Sequence, residues 1–407
     1  MTKWRIGLAL MLAVVPAMPA AAGVGETAPS LLEVDRRLAA IAWRLTTANA
    51  ALCRDTQPVT GATLHAIDQY PADVAAGGSY PAPVMVELVL PDTPAARAGL
   101  EENDGLLAVA GTAVPAPAAT GTVTSATRNA AQALIAARPV GAPLPLTIRR
   151  GVGTAARTIT VTPVAGCRVE FEVLAGNKLG ASSDGQVVQV GGRLFELFDD
   201  DQIAVVVAHE LGHAVLRHRA RLEAAGVRWG MLSEFGRNGR LFRETETEAD
   251  LMGAYLMRNA GWDPHIAVTF WREQGGKIDG GLFRARTHPS SAARAAAIER
   301  ELATMPADAP TPYLPPLLER RDAPLQCSDN GPVAGVGRVA GAGGRLFVGE
   351  WRQFGAGADP GRGARPVGAG AADRRGRAFA ARPPLRRAAR VRRVLRDAVG
   401  CVDRQRP

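Results

Sequence analysis

Long apolar runs are missing from this 407-residue chain. Outside the first 22 residues, no stretch approaches the roughly 18 consecutive apolar side chains that indicate a membrane-spanning helix, so we expect no transmembrane segment in the mature protein. Cysteine is scarce, with four in the whole chain, and neither Cys53 nor Cys167 has the close spacing of a metal-binding motif. Lysine is absent after Lys277 and isoleucine after Ile298, which sets the end of the chain apart.

The first 22 residues have the pattern of a secretory signal. Lys3 and Arg5 give a positive start, residues 6–15 are apolar, and residues 20–22 are alanines. The apolar part is too short to cross a bilayer as a mature helix, and no cysteine near the cleavage point offers a lipid anchor. We therefore expect an exported, periplasmic protein, in which cysteines favour disulfides.

Positive charge is concentrated at the end of the chain. The formal charge is +9, but residues 328–407 hold 17 arginines and six acidic residues and so carry +11, which leaves −2 for the rest. This segment is a basic arm for anionic lipid or polyanions, a plain disordered tail, or a frame-shifted translation of GC-rich sequence. We favour a tail or artefact over a functional arm, and we expect no nucleic-acid partner.

Residues 209–213 read HELGH and predict a metal site. His209 and His213 lie one helical turn apart on the same face, so both rings can reach one zinc ion. Glu210 lies between them, where a carboxylate can take a proton from a water at the zinc. The aspartates at 199–201 and the apolar residues that follow predict a buried helix over about 201–220. The structural alternative is a core helix whose histidines only satisfy hydrogen bonds.

A second motif, ETEAD at residues 246–250, follows on another predicted helix. Glu246 and Asp250 share one helix face. Glu246 fits the missing third ligand, and Asp250 fits a hydrogen-bonding partner for a ligating histidine. For Glu244 and Glu248 we favour an ordinary solvated helix surface.

With these residues in view, the stretch from about 166 to 305 resembles the zinc metallopeptidase domain of the HtpX and BepA type, related to the CAAX prenyl proteases. The resemblance rests on residues 207–213, 246–250, 259–264 and 287–294. It implies one zinc ion per chain held by His209, His213 and Glu246, with Glu210 as catalytic base. It also implies functional roles for His288 and Arg294.

Several of these residues have a second interpretation. His288 is either a mobile residue near the metal, which stabilises the transition state or caps the zinc in a resting state, or simply a histidine that precedes a helix start. Arg294 either pairs with a carboxylate near the site or is a surface charge. We interpret His218, His65 and His265 as structural or surface residues.

One segment departs from the family pattern. Where the family carries Leu-Asn-Ala, this chain has glycine at the middle position, Gly180. The segment leads into residues 186–190, a predicted strand beside the cleft. The change does not alter the predicted zinc ligands. We expect it to affect only substrate positioning or local stability.

Residues 68–165 resemble a PDZ-type module, carried by residues 94–107 and 109–111. A strand is predicted at 84–90, a helix at 129–137 and a strand at 144–150, with Asn103 in a turn that tolerates left-handed geometry. Such modules bind an extended peptide by adding it as a strand, and the alternative is a spacer with a closed groove. Cys53 and Cys167 flank the module, and we predict a disulfide between them.

The predicted fold class is α+β: a mostly helical, gluzincin-type zinc metallopeptidase domain with a small sheet, preceded by a PDZ-like β-rich domain. We expect a metalloendopeptidase acting on protein or peptide substrates in envelope quality control. The alternative is a latent peptidase that works as a peptide-binding or chaperone-like factor. The predicted segments are a signal peptide at 1–22, a helical segment at 23–67, the PDZ-like domain at 68–165, the peptidase domain at 166–327 and the tail at 328–407.

Overall fold

The computed structural model describes residues 30–78, 80–118, 122–227, 236–278 and 288–325. The predicted signal peptide and tail lie outside the described residues. Among the described residues, no helix is both long and apolar enough to cross a membrane. The α-helices are α1 Leu31–Ala48, α2 Ala72–Gly77, α3 Pro94–Arg97, α4 Ala126–Ala136, α5 Leu194–Leu197, α6 Asp200–Val215, α7 His218–Ala224, α8 Gly236–Asn259, α9 His265–Glu273, α10 Gly275–Ile278 and α11 Ser291–Leu302.

The strands form three sheets in an α+β fold. Short 3₁₀ helices lie at Ala50–Leu52, Ile67–Gln69 and Pro316–Asp322. The strands are β1 Thr56–Val59, β2 Ala62–Ala66, β3 Val84–Val89, β4 Asp104–Val109, β5 Thr112–Ala113, β6 Leu144–Arg150, β7 Arg157–Val161, β8 Val164–Cys167, β9 Glu170–Leu174, β10 Ala181–Ser183 and β11 Val187–Gly191.

The largest sheet occupies the region that resembles a PDZ module. Its strand order is β2-β3-β4-β6-β7, all antiparallel, with β5 paired to β4. Alternate residues such as Leu146 and Ile148 point into a separate core, as expected for a sheet with one buried face. The first strand of the sheet begins at Ala62, six residues before the predicted boundary at 68. Asn103 has φ 67°, the left-handed conformation predicted for that turn.

The three-stranded sheet has the order β10-β11-β9. Strand β11 pairs parallel to β9 and antiparallel to β10, and its buried Val188 and Val190 face the helical core. The predicted strand at 186–190 is therefore the central strand, and the edge strand beside α6 is β10. Gly180, just before this edge, has φ 142°, a conformation that a residue with a side chain rarely adopts.

Helix α1 is part of the helical core. Val34, Leu38 and Leu45 pack in one cluster with α6, α8, α9 and α11. The buried Asn49, just after α1, donates a hydrogen bond from Nδ2 to the Leu256 carbonyl at 3.0 Å and accepts one from the Asn259 side chain at 2.9 Å. Helix α1, near the start of the described residues, thus completes a core formed mainly by residues much later in the sequence.

A disulfide joins Cys53 to Cys167, with 5.4 Å between the Cα atoms and 114 residues of separation. It lies beside the two-stranded sheet of β1 and β8, in which Thr56 pairs with Cys167. The bond and the sheet bring together the two chain segments on either side of the large sheet.

Helix α6 is shorter than predicted. The Asp199 side chain accepts a hydrogen bond from the backbone N–H of Gln202 at 2.8 Å and caps the start. The helix ends at Val215, whereas the sequence pattern predicted continuation to about 220. Arg217 adopts a left-handed conformation (φ 54°) and bonds Asp322 at 2.7 Å, and a new helix starts at His218. The turn brings Nδ1 of His218 within 2.9 Å of Nδ1 of His213 on α6.

Candidate metal centre

Two helices bring three donor side chains together. His209 and His213 lie on α6 and Glu246 lies on α8, and one ligand atom from each is within 4.8 Å of the others. The Nε2 atoms of the two histidines are 3.1 Å apart. Oε2 of Glu246 lies 3.3 Å from Nε2 of His209, and Oε1 lies 3.5 Å from Nε2 of His213. The structure therefore gathers the three predicted ligands around one point.

The chemistry of this cluster fits a cation. Oε2 of Glu246 is buried and makes no well-aligned hydrogen bond among the described residues, although Nε2 of His209 and Nε2 of His288 lie 3.3 and 3.2 Å away. A buried carboxylate oxygen without such a bond is costly. Although burial lowers it, the Asp250 and Glu246 carboxylates raise the pKa of His209 to about 10. Burial holds the pKa of His213 well below its usual value. The carboxylates thus favour positive charge at the cluster, and the neutral ring of His213 can offer the lone pair of its Nε2, a combination that suits a metal ion.

Close packing of α6 and α8 sets the position of the third donor. A Cβ on Gly212 would lie 2.9 Å from the Ala249 carbonyl oxygen, and one on Gly253 would lie 3.1 Å from the His209 nitrogen. Both neighbours are backbone atoms, so neither can rotate away. The two glycines therefore allow the helix that carries Glu246 to approach the helix that carries the histidines.

The outward nitrogen of His209 has a charged support. Its Nδ1 lies 2.9 Å from Oδ1 of Asp250. Arg294 on α11 binds the same carboxylate through two donors, at 2.7 and 2.5 Å, and its guanidinium stacks 3.3 Å from the centre of the Trp271 ring. Arg294 is 4% exposed, so its interpretation as a surface charge is wrong. It pairs with the carboxylate that supports a candidate ligand.

Glu210 and His288 lie next to the three donors. Glu210 is buried on α6, and burial, with a further contribution from the Glu246 carboxylate, raises its pKa to about 7. Nε2 of His288 lies 3.2 Å from Oε2 of Glu246. His288 also precedes α11, which starts at Ser291, so both descriptions of its position hold. The structure thus brings one buried carboxyl and one further imidazole to the cluster.

Two residues that the sequence interpretation set aside belong to this site. His218 is 1% exposed, and its Nδ1 lies 2.9 Å from Nδ1 of His213. Its Nε2 lies 3.1 Å from Oε2 of Glu248. Glu248 is 2% exposed, so the prediction of a solvated glutamate was wrong. The sequence did place His218 only five residues after His213. That closeness brings the two rings together only because the helix breaks at Arg217.

Glu244, His65 and His265, which we interpreted as surface or structural residues, lie outside the cluster of donors. Glu244 is half-buried, and burial raises its pKa. Nδ1 of His65 lies 2.6 Å from the Tyr70 hydroxyl in the large sheet, and His265 is an exposed residue paired with Asp263. Neither of these two histidines touches the cluster.

Comparisons with known proteins match the segment that holds this cluster to a family of peptidases. The family model described as "Peptidase family M48" matches residues 176–236 and 224–302, the segments that hold the cluster and the residues supporting it. Residues 176–302 of this chain are therefore similar to that peptidase family.

Two known proteins are similar to this chain over 139 and 128 residues. "Mitochondrial metalloendopeptidase OMA1" of Schizosaccharomyces pombe is 37% identical over 139 residues, covering 29% of this chain and 41% of that protein. The protein of the same name from Arabidopsis thaliana is 33% identical over 128 residues, covering 27% of this chain and 26% of that protein. The chain thus spans less than half the length of these relatives.

A solved structure, the "HtrA3 PDZ Domain Bound to a Phage-Derived Ligand", is a structural neighbour. It is 20% identical, and the match covers 27% of this chain and 89% of that chain with a TM-score of 0.20. At this score the likeness carries no functional conclusion.

Proposed function

We propose that this chain is a zinc-dependent metalloendopeptidase of the gluzincin type that hydrolyses peptide bonds in proteins. The observation that carries the proposal is the convergence of the two histidine Nε2 atoms and the Glu246 carboxylate on one point. His209, His213 and Glu246 would hold one zinc ion. When bound, zinc would polarise the scissile carbonyl and lower the pKa of water.

The residues around the cluster have distinct roles in this proposal. The carboxylate of Glu210 accepts a proton from the attacking water and then passes this proton to the leaving amine. Its buried position suits this exchange, because burial brings its pKa to about 7. Asp250 and Arg294 hold the ring of His209 in place. The substrate backbone adds to the edge strand β10, which lies beside α6.

The site of action that we propose is outside the cytoplasm, in the periplasm, with a role in envelope protein quality control. The signal-like pattern at 1–22 and the Cys53–Cys167 disulfide support export, because disulfides persist in oxidising compartments. The resemblance to HtpX and BepA supports the quality-control role.

The test is zinc content together with casein cleavage, measured on the full chain. We expect one zinc per chain and cleavage by the wild type. Glu210→Gln should keep the zinc and lose cleavage by at least about 100-fold, as expected for loss of a general base. The control is Glu223→Gln, which changes an exposed glutamate paired with Arg219 on α7. A wild-type chain that binds no zinc would refute the proposal.

A second candidate function is a latent peptidase with a chaperone-like role, favoured by His288. Because Nε2 of His288 is 3.2 Å from a ligand oxygen, its ring could occupy the open position at the metal. If the wild type holds zinc but cleaves casein slowly, His288→Ala should then cleave casein faster than the wild type. A loss of cleavage in this variant instead assigns His288 to transition-state stabilisation.

The PDZ-like domain offers a second binding surface, since β2 is an edge strand of the large sheet. We propose that an extended peptide pairs with β2. The Gln69 side chain already accepts the Ala66 N–H at 2.8 Å, which limits pairing at that end. Fluorescence anisotropy with peptides that carry a free or an amidated C-terminus tests this. Equal absence of binding for both would leave the domain as a spacer.

A further inference from the structure

Within the described residues, no carboxylate lies directly behind His213, the second of the proposed histidine ligands. His209 meets Asp250 through its Nδ1, but Nδ1 of His213 faces the ring of His218 at 2.9 Å. Behind His218, at 3.1 Å from Nε2, lies the carboxylate of Glu248. Three side chains from α6, α7 and α8 thus form one row that leads away from the cluster.

Hydrogen counting fixes the direction of this row once a metal is bound. A histidine that binds a cation through Nε2 carries its hydrogen on Nδ1, so His213 must donate to His218. Nδ1 of His218 must then accept, which puts the hydrogen of that ring on Nε2. That hydrogen points at Oε2 of Glu248. No other arrangement of neutral rings makes both hydrogen bonds.

The far end of the row is firmly held. Glu248 accepts a hydrogen bond from Arg221 at 2.6 Å and one from Arg320 at 3.1 Å. The side chains of His218 and Glu248 are 2% and 3% exposed, so water does not compete for these contacts. Arg320 belongs to the 3₁₀ helix at Pro316–Asp322, which adds an anchor from the last described part of the chain.

We propose that His218 and Glu248 are positioning residues for the metal ligand His213. Glu248 selects the tautomer of His218, and His218 holds the His213 ring with Nε2 turned towards the metal. This inference rests on the proposed zinc site. It gives the two histidine ligands unequal supports, a direct carboxylate for His209 and a relayed one for His213.

The test uses the full chain and three substitutions, with the zinc dissociation constant measured by competition with a chromophoric chelator. His218→Leu removes both hydrogen bonds, and we expect zinc binding to weaken about 10- to 100-fold, as is typical when a partner of a metal ligand is lost. His218→Gln keeps an acceptor and a donor at similar separation and should restore most of the affinity. His265→Leu, at an exposed histidine, should leave it unchanged.

Loss of packing and loss of positioning give different results. If His218→Leu lowers the melting temperature of the metal-free chain but binds zinc as tightly as the wild type, His218 only fills the core and the inference is wrong. A wild type that binds no zinc overturns the proposed function as well, so the two failures are distinguishable.

A measurement on the wild type covers the case in which His218→Leu does not fold. Nitrogen-15 NMR of the zinc-loaded, histidine-labelled chain reports which ring nitrogen carries the hydrogen, and His218→Gln assigns the signal. A His218 ring protonated on Nε2 supports the row. A ring protonated on Nδ1 reverses the hydrogen bond to His213 and overturns it.

Discussion

The contact between α6 and α8 gives the sharpest structural prediction. Gly212→Ala places a Cβ 2.9 Å from the carbonyl oxygen of Ala249, where ordinary contact begins at 3.4 Å. Because that oxygen is backbone, α8 must move away by about 0.5 Å, the difference between the two distances. Glu246 lies on α8 just before Ala249, so the movement carries the third donor away from the two histidines.

Two effects of opposite sign set the magnitude. Alanine is favoured over glycine inside a helix by about 1 kcal/mol, while overpacking of a close contact costs about 1–3 kcal/mol. We therefore expect the free energy of unfolding of Gly212→Ala to fall by about 0–2 kcal/mol. Metal sites tolerate only about 0.2 Å in ligand distance, so zinc affinity should fall by about 10-fold or more, out of proportion to stability.

Urea unfolding of the zinc-free chain and chelator competition measure the two quantities separately. Gly276→Ala is the matched control, since Gly276 lies in α10 and a Cβ there would meet no atom within 4 Å. It should be neutral or stabilised, with unchanged zinc affinity. If Gly212→Ala behaves like this control in both assays, close helix approach does not position Glu246.

Three further outcomes follow from contacts away from the reacting atoms. Replacing Cys53 and Cys167 together with serine should lower the free energy of unfolding by up to about 4–5 kcal/mol, because the bond closes a loop of 114 residues; denaturant titration with and without reductant checks this. Arg294→Lys cannot bind a carboxylate through two donors, so chelator competition should show about 10-fold weaker zinc binding. Burial raises the pKa of Glu87 to about 7 and that of Asp35 to about 6. When protonated, these two carboxyl groups add to the stability of the folded protein. This contribution is fully present below their unfolded pKa values and is lost as pH rises through about 6 to 7. The urea midpoints at pH 5 and pH 8 should therefore differ less in Glu87→Gln than in the wild type.

Local spacing predicted much of the donor set from the sequence. His209 and His213 are four residues apart on one helix, and helical geometry alone brings their rings to one side. Asp250 follows Glu246 by the same spacing, so one helix delivers both a donor and a support. These relations need no knowledge of the tertiary fold. The Cys53–Cys167 pairing was also accessible, because the two cysteines flank a module.

The residues that sequence reasoning missed depend on a backbone detail. In one continuous helix to 220, His218 would lie five residues beyond His213, rotated away from the metal face. The left-handed Arg217 breaks that helix and turns His218 back to 2.9 Å from His213. Glu248 likewise reads as surface, since its partners Arg221 and Arg320 come from distant segments. A charged residue in an amphipathic helix predicts exposure until its partners are known.

The same reasoning explains why Glu246 and Glu248 serve different rings although they are two residues apart. Side chains at i and i+2 point to different helix faces, so α8 directs Glu246 to the cluster and Glu248 to α7. Asp250 then returns to the face of Glu246 and meets His209. One helix thereby supplies one of the proposed metal donors and the outer supports of both proposed histidine ligands. Any movement of α8 therefore disturbs all three, which is why a methyl group at Gly212 should affect zinc affinity more than folding.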